Sequence, residues 1–220
     1  MTNFAALRQR MVDNQIRPSE VNDREIIRAL LETPREKFVA PAERPFAYAD
    51  RPLQMSGAAP ERRLLEPVLL ARLIQALPLG PGTAAMTVGC GTGYSAAILS
   101  RLAASVVAVE EEAALAAEAA SLLKDAGAAN VDLVQAGLTE GHAARAPYDA
   151  ILLEGAVEFV PDTLISQLRH GGMLATIERS GRLSRAMLYE RVGEEASSRP
   201  LFEAWASLLP GFQRKPEFVF

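Results

Sequence analysis

The sequence has very little of what builds disulfide or metal frameworks. Its only cysteine is Cys90, which excludes an internal disulfide, and its two histidines, His142 and His170, fit no recognisable zinc spacing. No apolar run approaches the roughly 18 residues that a membrane helix needs, and charged residues interrupt positions 1–18, unlike the apolar core of a signal peptide. We therefore expect a cytoplasmic protein with no metal site and no membrane partner.

An excess of positive charge is also missing. The chain has 23 Lys and Arg against 27 Asp and Glu, a net charge of -4, and a sequence pI of about 5.4. Proteins that bind nucleic acid through the phosphate backbone usually show a basic footprint, so we expect no nucleic-acid partner. The 220 residues, 49% of them hydrophobic, are typical of a folded globular chain with one main core.

The first part of the chain, residues 1–79, predicts a helical amino-terminal extension followed by an irregular arm. Helical apolar spacing covers 3–15 and a second segment that starts at Asp23. Prolines and a glycine-rich cluster then break regular structure across 33–65. Pro67 suits the first turn of another helix, which runs towards Pro78.

Residues 80–220 predict a second domain, in which short apolar strands alternate with helices. This alternation is typical of a doubly wound, mostly parallel α/β sheet covered by helices on both faces. The predicted strands are 84–88, 106–109, 131–135, 150–153 and 173–177, with edge strands at 186–191 and 218–220. The predicted helices are 93–102, 111–125 and 161–168.

A glycine-rich turn follows the first predicted strand of this domain. Residues 88–94 read Val-Gly-Cys-Gly-Thr-Gly-Tyr, so glycines at alternate positions allow a tight turn and a close approach of backbone N–H groups to a ligand. An NAD or flavin fingerprint requires a third glycine at position 94, which is Tyr94. A P-loop requires a lysine, which this turn lacks. The alternative is a sharp strand-to-helix turn without a ligand.

An acid follows at the distance that a doubly wound sheet uses for ribose recognition. Glu110 ends the second predicted strand, seventeen residues after Gly93, and is a candidate ligand of ribose hydroxyls. Alternatively, Glu110 is a first-turn carboxylate favoured by the dipole of the next helix, as we expect for Glu111 and Glu112.

This layout resembles the class I S-adenosylmethionine-dependent methyltransferases, and more specifically the protein L-isoaspartate O-methyltransferases over nearly the whole chain. The stretches that carry the resemblance are 11–18, 34–39, 47–53, 89–94, 147–151 and 171–172. The resemblance implies a seven-stranded Rossmann-like sheet, S-adenosylmethionine as methyl donor, and a protein or peptide with isoaspartyl residues as the partner to be repaired.

Candidate site residues follow from the motifs together with the resemblance. The residues expected to bind the cofactor are Gly89, Cys90, Gly91, Gly93, Tyr94, Glu110 and Gly137, and Glu154 is expected on the substrate side. No catalytic residue is identified.

The sequence departs from the family pattern at several positions. Leu65 stands where relatives usually carry an active-site serine, and Ser56 is the alternative source of that hydroxyl, although a lone loop serine is typical of turns. Thr87 replaces a usual Glu, residues 135–137 lose an acid expected near adenine, and Glu154 replaces a usual Thr. If ionised, Glu154 would repel a carboxylate acceptor, whereas it could accept a hydrogen bond from an alcohol or amine acceptor. Alternatively, Glu154 is a solvated carboxylate at a strand end.

Two functions remain open at this point. The leading one is methylation of a carboxylate of damaged aspartyl residues by an isoaspartyl-type methyltransferase. The alternative is a protein of the same fold that binds S-adenosylmethionine or S-adenosylhomocysteine but has lost isoaspartyl activity or acts on another acceptor.

Overall fold

A computed structural model describes residues 2–57 and 62–214. The helices are α1 Phe4–Met11, α2 Arg24–Glu32, α3 Pro67–Gln75, α4 Tyr94–Leu99, α5 Ala113–Asp125 and α6 Asp162–Ile165. The strands are β1 Leu53–Gln54, β2 Arg63–Leu64, β3 Ala84–Val88, β4 Ser105–Glu110, β5 Val131–Gln135, β6 Tyr148–Val157, β7 Leu168–Ser180, β8 Leu183–Val192 and β9 Glu195–Glu203. Strands β3 to β8 and most of the helices match the elements predicted from the sequence.

Seven strands form one sheet in the order β5-β4-β3-β6-β7-β8-β9. The first five run parallel to one another, whereas β8 runs antiparallel to both β7 and β9. The chain leaves β3 first towards β4 and β5 and later returns on the other side of β3 with β6. The strand order therefore reverses at β3, where doubly wound sheets bind ligands outside their carboxyl ends.

Both faces of this sheet are buried, which explains the continuous apolar strands. Ala85 and Ala108 contribute to one hydrophobic cluster, together with the amino-terminal helices. Met86 and Val109 contribute to the cluster on the opposite face. Successive side chains of a strand point to opposite faces, so a strand buried on both sides is apolar at most positions.

The amino-terminal segment folds as its sequence predicts in most respects. The Asp23 side chain accepts hydrogen bonds from the backbone N–H groups of Glu25 and Ile26, at 2.8 and 3.1 Å, and so caps α2. The first helix continues beyond α1 as a wider π-helical turn, Val12–Ile16. Pro67 occupies the first turn of α3, as predicted.

The main differences from the sequence prediction lie in the carboxyl-terminal half of the chain. The helix expected over 161–168 is only the four residues of α6, because Leu168 already pairs with Tyr148 in the sheet. Strand β9 was not predicted, since it is polar and contains Pro200, which edge strands tolerate beside an irregularity in pairing. The edge strand expected over 218–220 lies outside the described residues.

Arg35 fastens the irregular arm to the sheet domain, although it is charged and fully buried. Its Nε donates to the carbonyl of Ala47 at 2.9 Å, and its Nη2 donates to the carbonyl of Leu65 at 2.6 Å. Its guanidinium carbon lies 4.9 Å from the ring centroid of Tyr94, the first residue of α4. One side chain thus joins three separate parts of the fold.

We predict that Arg35→Ala lowers the free energy of unfolding by about 4 kcal/mol, because it leaves a cavity and two buried carbonyls without donors. The matched control is Arg28→Ala, which removes exposed ion pairs with Glu25 and Glu32 and is expected to cost about 0.5 kcal/mol or less. Urea unfolding at equilibrium measures both. A loss below about 1 kcal/mol for Arg35→Ala would contradict this role.

Candidate active site

The sheet register places two acids on either side of the glycine turn. Val88 pairs with Val109 of β4 on one side and with Leu153 of β6 on the other. The residues that follow these three are Gly89, Glu110 and Glu154. Gly89 is therefore flanked by the two acids. Both candidate acids lie at the carboxyl edge of the sheet, where the strand order reverses.

The three glycines of the turn have backbone conformations that L side chains rarely adopt. The φ angles are +76° at Gly89, +56° at Gly91 and +90° at Gly93, all in the left-handed region. A Cβ atom on Gly91 would also collide with the Sδ atom of Met55. The turn therefore requires glycine at these positions, and the arm packs directly on it.

Glu110 is fully buried, and its carboxylate organises this edge. Oε2 accepts hydrogen bonds from the backbone N–H of Gly91 at 2.7 Å and from Nη2 of Arg62 at 2.8 Å. Oε1 accepts from Nη1 of Arg62 at 3.1 Å and from the N–H groups of Glu111 and Glu112 at 3.0 and 3.1 Å. Glu110 thus occupies the position expected of a ribose ligand, while its hydrogen bonds go to the chain itself.

Glu154 lies inside β6 and is 7% exposed, so the interpretation as a solvated strand-end carboxylate is wrong. Its Oε1 accepts hydrogen bonds from the hydroxyls of Thr87 and Ser95. Burial raises the pKa of Glu154 to about 7, although these two hydrogen bonds oppose the shift. The predicted strand ends at Leu153, and this is why a solvated position was one of the two interpretations of Glu154.

The contact between Thr87 and Glu154 brings two of the expected departures from the family pattern together. The two side chains meet across neighbouring strands, β3 and β6, where the hydroxyl of Thr87 donates to the carboxylate of Glu154. The two departures therefore belong to one hydrogen-bonded pair in this chain. Ser95, the third member, was not identified from the sequence, where its only signal is its place in the first turn after the glycines.

Tyr94 points away from the glycine turn, into the arm. Its ring centroid lies 5.5 Å from that of Phe38, and the guanidinium of Arg35 lies over its face. Its buried hydroxyl has no hydrogen-bond partner among the described residues. Of the residues expected to bind the cofactor, Tyr94 is the one whose side chain the fold directs elsewhere.

Cys90 lies inside the glycine turn, and Gly137 lies in the loop that follows β5. Cys90 is fully buried, and burial, with Glu154 and Glu110 nearby, raises the pKa of its thiol well above its ordinary value, so the thiol is not a nucleophile at neutral pH. Gly137 follows β5, and the preceding residue, Ala136, donates its N–H to the carbonyl oxygen of Glu110 at 3.2 Å. The loop of Gly137 is thereby held beside Glu110.

Leu65, at the position of the family serine, is a core residue. It is 5% exposed, and its carbonyl oxygen accepts from Arg35. Ser56 lies half-buried in the turn after β1.

Arg62, like Ser95, is a site residue that sequence reasoning missed. It is 3% exposed, and its guanidinium reaches Glu112 at 3.1 Å and the carbonyl of Gly89 at 3.4 Å in addition to Glu110. In the sequence it is one charge in a charged stretch. Leu209 covers the other side of the turn, since a Cβ on Gly89 would lie 2.9 Å from its Cδ2.

Neither histidine lies in this site. His142 precedes a short 3-10 turn, and the Nδ1 atom of exposed His170 accepts from the N–H of Gly193 at 3.1 Å. Within residues 2–57 and 62–214, no three His, Cys, Asp or Glu side chains are grouped as metal ligands would be. Over the same residues, none of the helices has the length and hydrophobicity to span a membrane.

The buried carboxyl of Glu154 gives a pH-dependent stability with a definite sign. Since its pKa rises from 4.5 to about 7 on folding, the folded protein binds more protons than the unfolded chain between these values. Stability therefore falls as pH rises through this window and stays lower above it. Glu154→Gln removes this dependence, so its unfolding free energy relative to wild type should rise by about 3 kcal/mol between about pH 5 and about pH 8. Urea unfolding at both pH values checks this, and a constant difference would show that Glu154 has an ordinary pKa.

Known proteins are similar to this chain over most of its length. The family model described as protein-L-isoaspartate(D-aspartate) O-methyltransferase matches residues 6–201. A protein-L-isoaspartate O-methyltransferase of Koribacter versatilis is 38% identical over 174 residues, 79% of this chain and 77% of the relative. A protein-L-isoaspartate O-methyltransferase 1 of Rhodopseudomonas palustris is 35% identical over 221 residues, 95% of this chain and 89% of the relative.

Solved structures agree with the fold. A protein-L-isoaspartate O-methyltransferase structure superposes with a TM-score of 0.81 at 26% identity, over 94% of this chain and 65% of that chain. A Plasmodium falciparum structure, assigned provisionally to the same family and solved with S-adenosyl-L-homocysteine, has a TM-score of 0.77 at 18% identity, over 95% of this chain and 99% of that one. The predicted resemblance is confirmed: the chain has the seven-stranded Rossmann-like methyltransferase fold and belongs to the protein-L-isoaspartate(D-aspartate) O-methyltransferase family.

Proposed function

We propose that this protein transfers a methyl group from S-adenosylmethionine to the free carboxylate of an isoaspartyl residue in a damaged protein or peptide. The observation that carries the proposal is the register that puts Glu110 beside the left-handed glycine turn at the switch point of the sheet. The relatives at 35 to 38% identity that are named for this activity support it.

The backbone of the site suits an adenosine-containing cofactor. Gly89, Gly91 and Gly93 keep side chains off the turn, and Glu110 supplies an acceptor for ribose hydroxyls. The loop of Gly137 closes the far side, where adenine would lie. The side chains of Arg62 and Met55 occupy the space in front of Glu110 and Gly91, so the site fits the cofactor once these two side chains withdraw. Cys90 would contribute only its backbone, and Tyr94 would support the turn from behind.

The reaction requires alignment more than proton transfer. When bound, the cofactor would supply its sulfonium methyl group to a carboxylate oxygen by in-line displacement, in which the S–C bond breaks and S-adenosylhomocysteine leaves. The acceptor carboxylate is already ionised at pH 7, so the protein needs no general base. The loss of the serine hydroxyl at Leu65 therefore removes an orienting hydrogen bond rather than an essential proton acceptor.

Glu154 would lie on the substrate side, next to the turn. With a pKa of about 7 it is partly neutral at physiological pH, which weakens the repulsion of an anionic acceptor that a fully ionised carboxylate would exert. Ser95 and Thr87 orient the group through their hydroxyls. Such a site tolerates a carboxylate substrate at neutral pH and below.

A second candidate function is a methyltransferase-fold protein that binds S-adenosylmethionine or S-adenosylhomocysteine and acts on another acceptor, or on none. Buried Leu65 favours it, since that position supplies no hydroxyl to an isoaspartyl substrate. A methyl-transfer assay with an isoaspartyl peptide separates the two candidates.

We predict that the protein transfers label from S-adenosylmethionine to an isoaspartyl peptide and not to the same peptide with ordinary aspartate. Gly91→Val is expected to abolish transfer and to remove the calorimetric signal of S-adenosylhomocysteine, because its side chain would enter the space of the backbone turn. NAD should give no heat with the wild type. Cofactor binding without transfer to the isoaspartyl peptide would favour the second candidate, and no binding of either sulfur nucleotide would remove both.

We also predict that the KM for the isoaspartyl peptide rises about fivefold or more between about pH 6 and about pH 8 in the wild type, because Glu154 becomes charged over this range. Glu154→Gln should show a nearly flat KM. The control is Ser184→Ala, an uncharged substitution on β8, away from the glycine turn. Its KM should depend on pH as that of the wild type does. Parallel profiles for wild type and Glu154→Gln would place Glu154 outside the acceptor site.

A further inference from the structure

We propose that Arg62 is an internal competitor for the ribose-binding carboxylate and sets the affinity of the protein for its cofactor. This inference rests on the proposed function, since it takes Glu110 as the ribose ligand. Its basis is the ion pair that Arg62 and Glu110 form inside the candidate site.

The ion pair is two-pronged and shielded from water. Nη2 of Arg62 donates to Oε2 of Glu110 at 2.8 Å, and Nη1 donates to Oε1 at 3.1 Å. The two side chains are 4% and 0% exposed. Paired parallel hydrogen bonds of this kind are among the strongest between side chains, and removal of one partner leaves the other as an uncompensated buried charge.

The carboxylate has no capacity left for a ligand. A carboxylate offers about four lone-pair sites, and Glu110 already accepts from two guanidinium nitrogens and from three backbone N–H groups, those of Gly91, Glu111 and Glu112. The backbone donors are fixed by the fold. Ribose hydroxyls can therefore reach Glu110 only if the guanidinium leaves it.

Arg62 has a second ion-pair partner, Glu112. Nη1 already lies 3.1 Å from Oε1 of Glu112, whose side chain is 29% exposed and thus reaches the rim of the site. A small rotation of the Arg62 side chain can keep this partner while releasing Glu110. Because a charged partner remains within reach, displacement does not leave the guanidinium unpaired.

The competition lowers the apparent affinity in a calculable way. If Arg62 occupies Glu110 in about 90% of free molecules, the apparent Kd is about ten times the intrinsic one. Removal of the guanidinium should therefore lower the apparent Kd by the same factor of about ten. A residue that instead contributes to binding would show the opposite change when it is removed.

The test measures S-adenosylhomocysteine binding by calorimetry for the wild type, Arg62→Met and Arg62→Lys. Arg62→Met keeps the apolar stem and should bind about tenfold more tightly. Arg62→Lys, which has a single ammonium and cannot form both hydrogen bonds, should be intermediate. The matched control is Arg63→Met, an equal change of charge at the neighbouring exposed position, with an expected affinity within about twofold of wild type.

Thermal unfolding provides a second readout without catalysis. The free Arg62→Met protein should melt at a lower temperature than the wild type, because Glu110 is then buried without its cation. Saturating S-adenosylhomocysteine should restore more of the melting temperature in this variant than in the wild type. The Arg63→Met protein should behave as wild type in both conditions.

The outcomes separate this inference from the proposed function. Equal or weaker binding of S-adenosylhomocysteine by Arg62→Met overturns the inference, and so does an absence of binding by every variant. Tighter binding by Arg62→Met with no methyl transfer to the isoaspartyl peptide supports the inference and removes the proposed function. Methyl transfer with unchanged affinity removes the inference alone.

Discussion

The candidate site depends on the hydrogen bonds and the ion pair that the carboxylate of Glu110 makes. This carboxylate is fully buried at the end of β4, and it collects donors from the glycine turn, from the approach to α5 and from the arm. A buried carboxylate requires such compensation. The same side chain that would bind ribose thus holds three parts of the molecule together, and this couples cofactor binding to the position of the arm.

Two buried charges attach the arm to the sheet in different ways. Arg35 bonds to backbone carbonyls and stacks over Tyr94, contacts that give it a structural role. Arg62 bonds to the side chain that a ligand would need. The contacts of Arg35 fix the arm against the sheet domain. The contact of Arg62 would compete with the cofactor ribose for Glu110.

The sequence predicts the fold well because local patterns determine it. The short apolar strands that alternate with helices, the glycine turn and the capping residue Asp23 are all encoded by a few neighbouring residues. These predictions match the structure. Strand β9 escapes prediction because an exposed edge strand needs no apolar pattern. The position of Glu110 was predictable from spacing, but its pairing with Arg62 joins residues 48 apart and leaves no periodic signal. The pairing of Thr87 with Glu154 likewise depends on the register of two strands 67 residues apart, so each residue looked like an isolated departure.

The central claim is that Glu110 is shared between Arg62 and the cofactor, and side-chain NMR of the arginine guanidinium tests it most directly. In the free protein the two-pronged pair should slow rotation about the Cζ–Nε bond, so that Arg62 gives separate Nη signals, assigned by their loss in Arg62→Met. Saturation with S-adenosylhomocysteine should merge these signals as the guanidinium leaves Glu110. Separate signals that persist unchanged in the saturated protein would contradict the account.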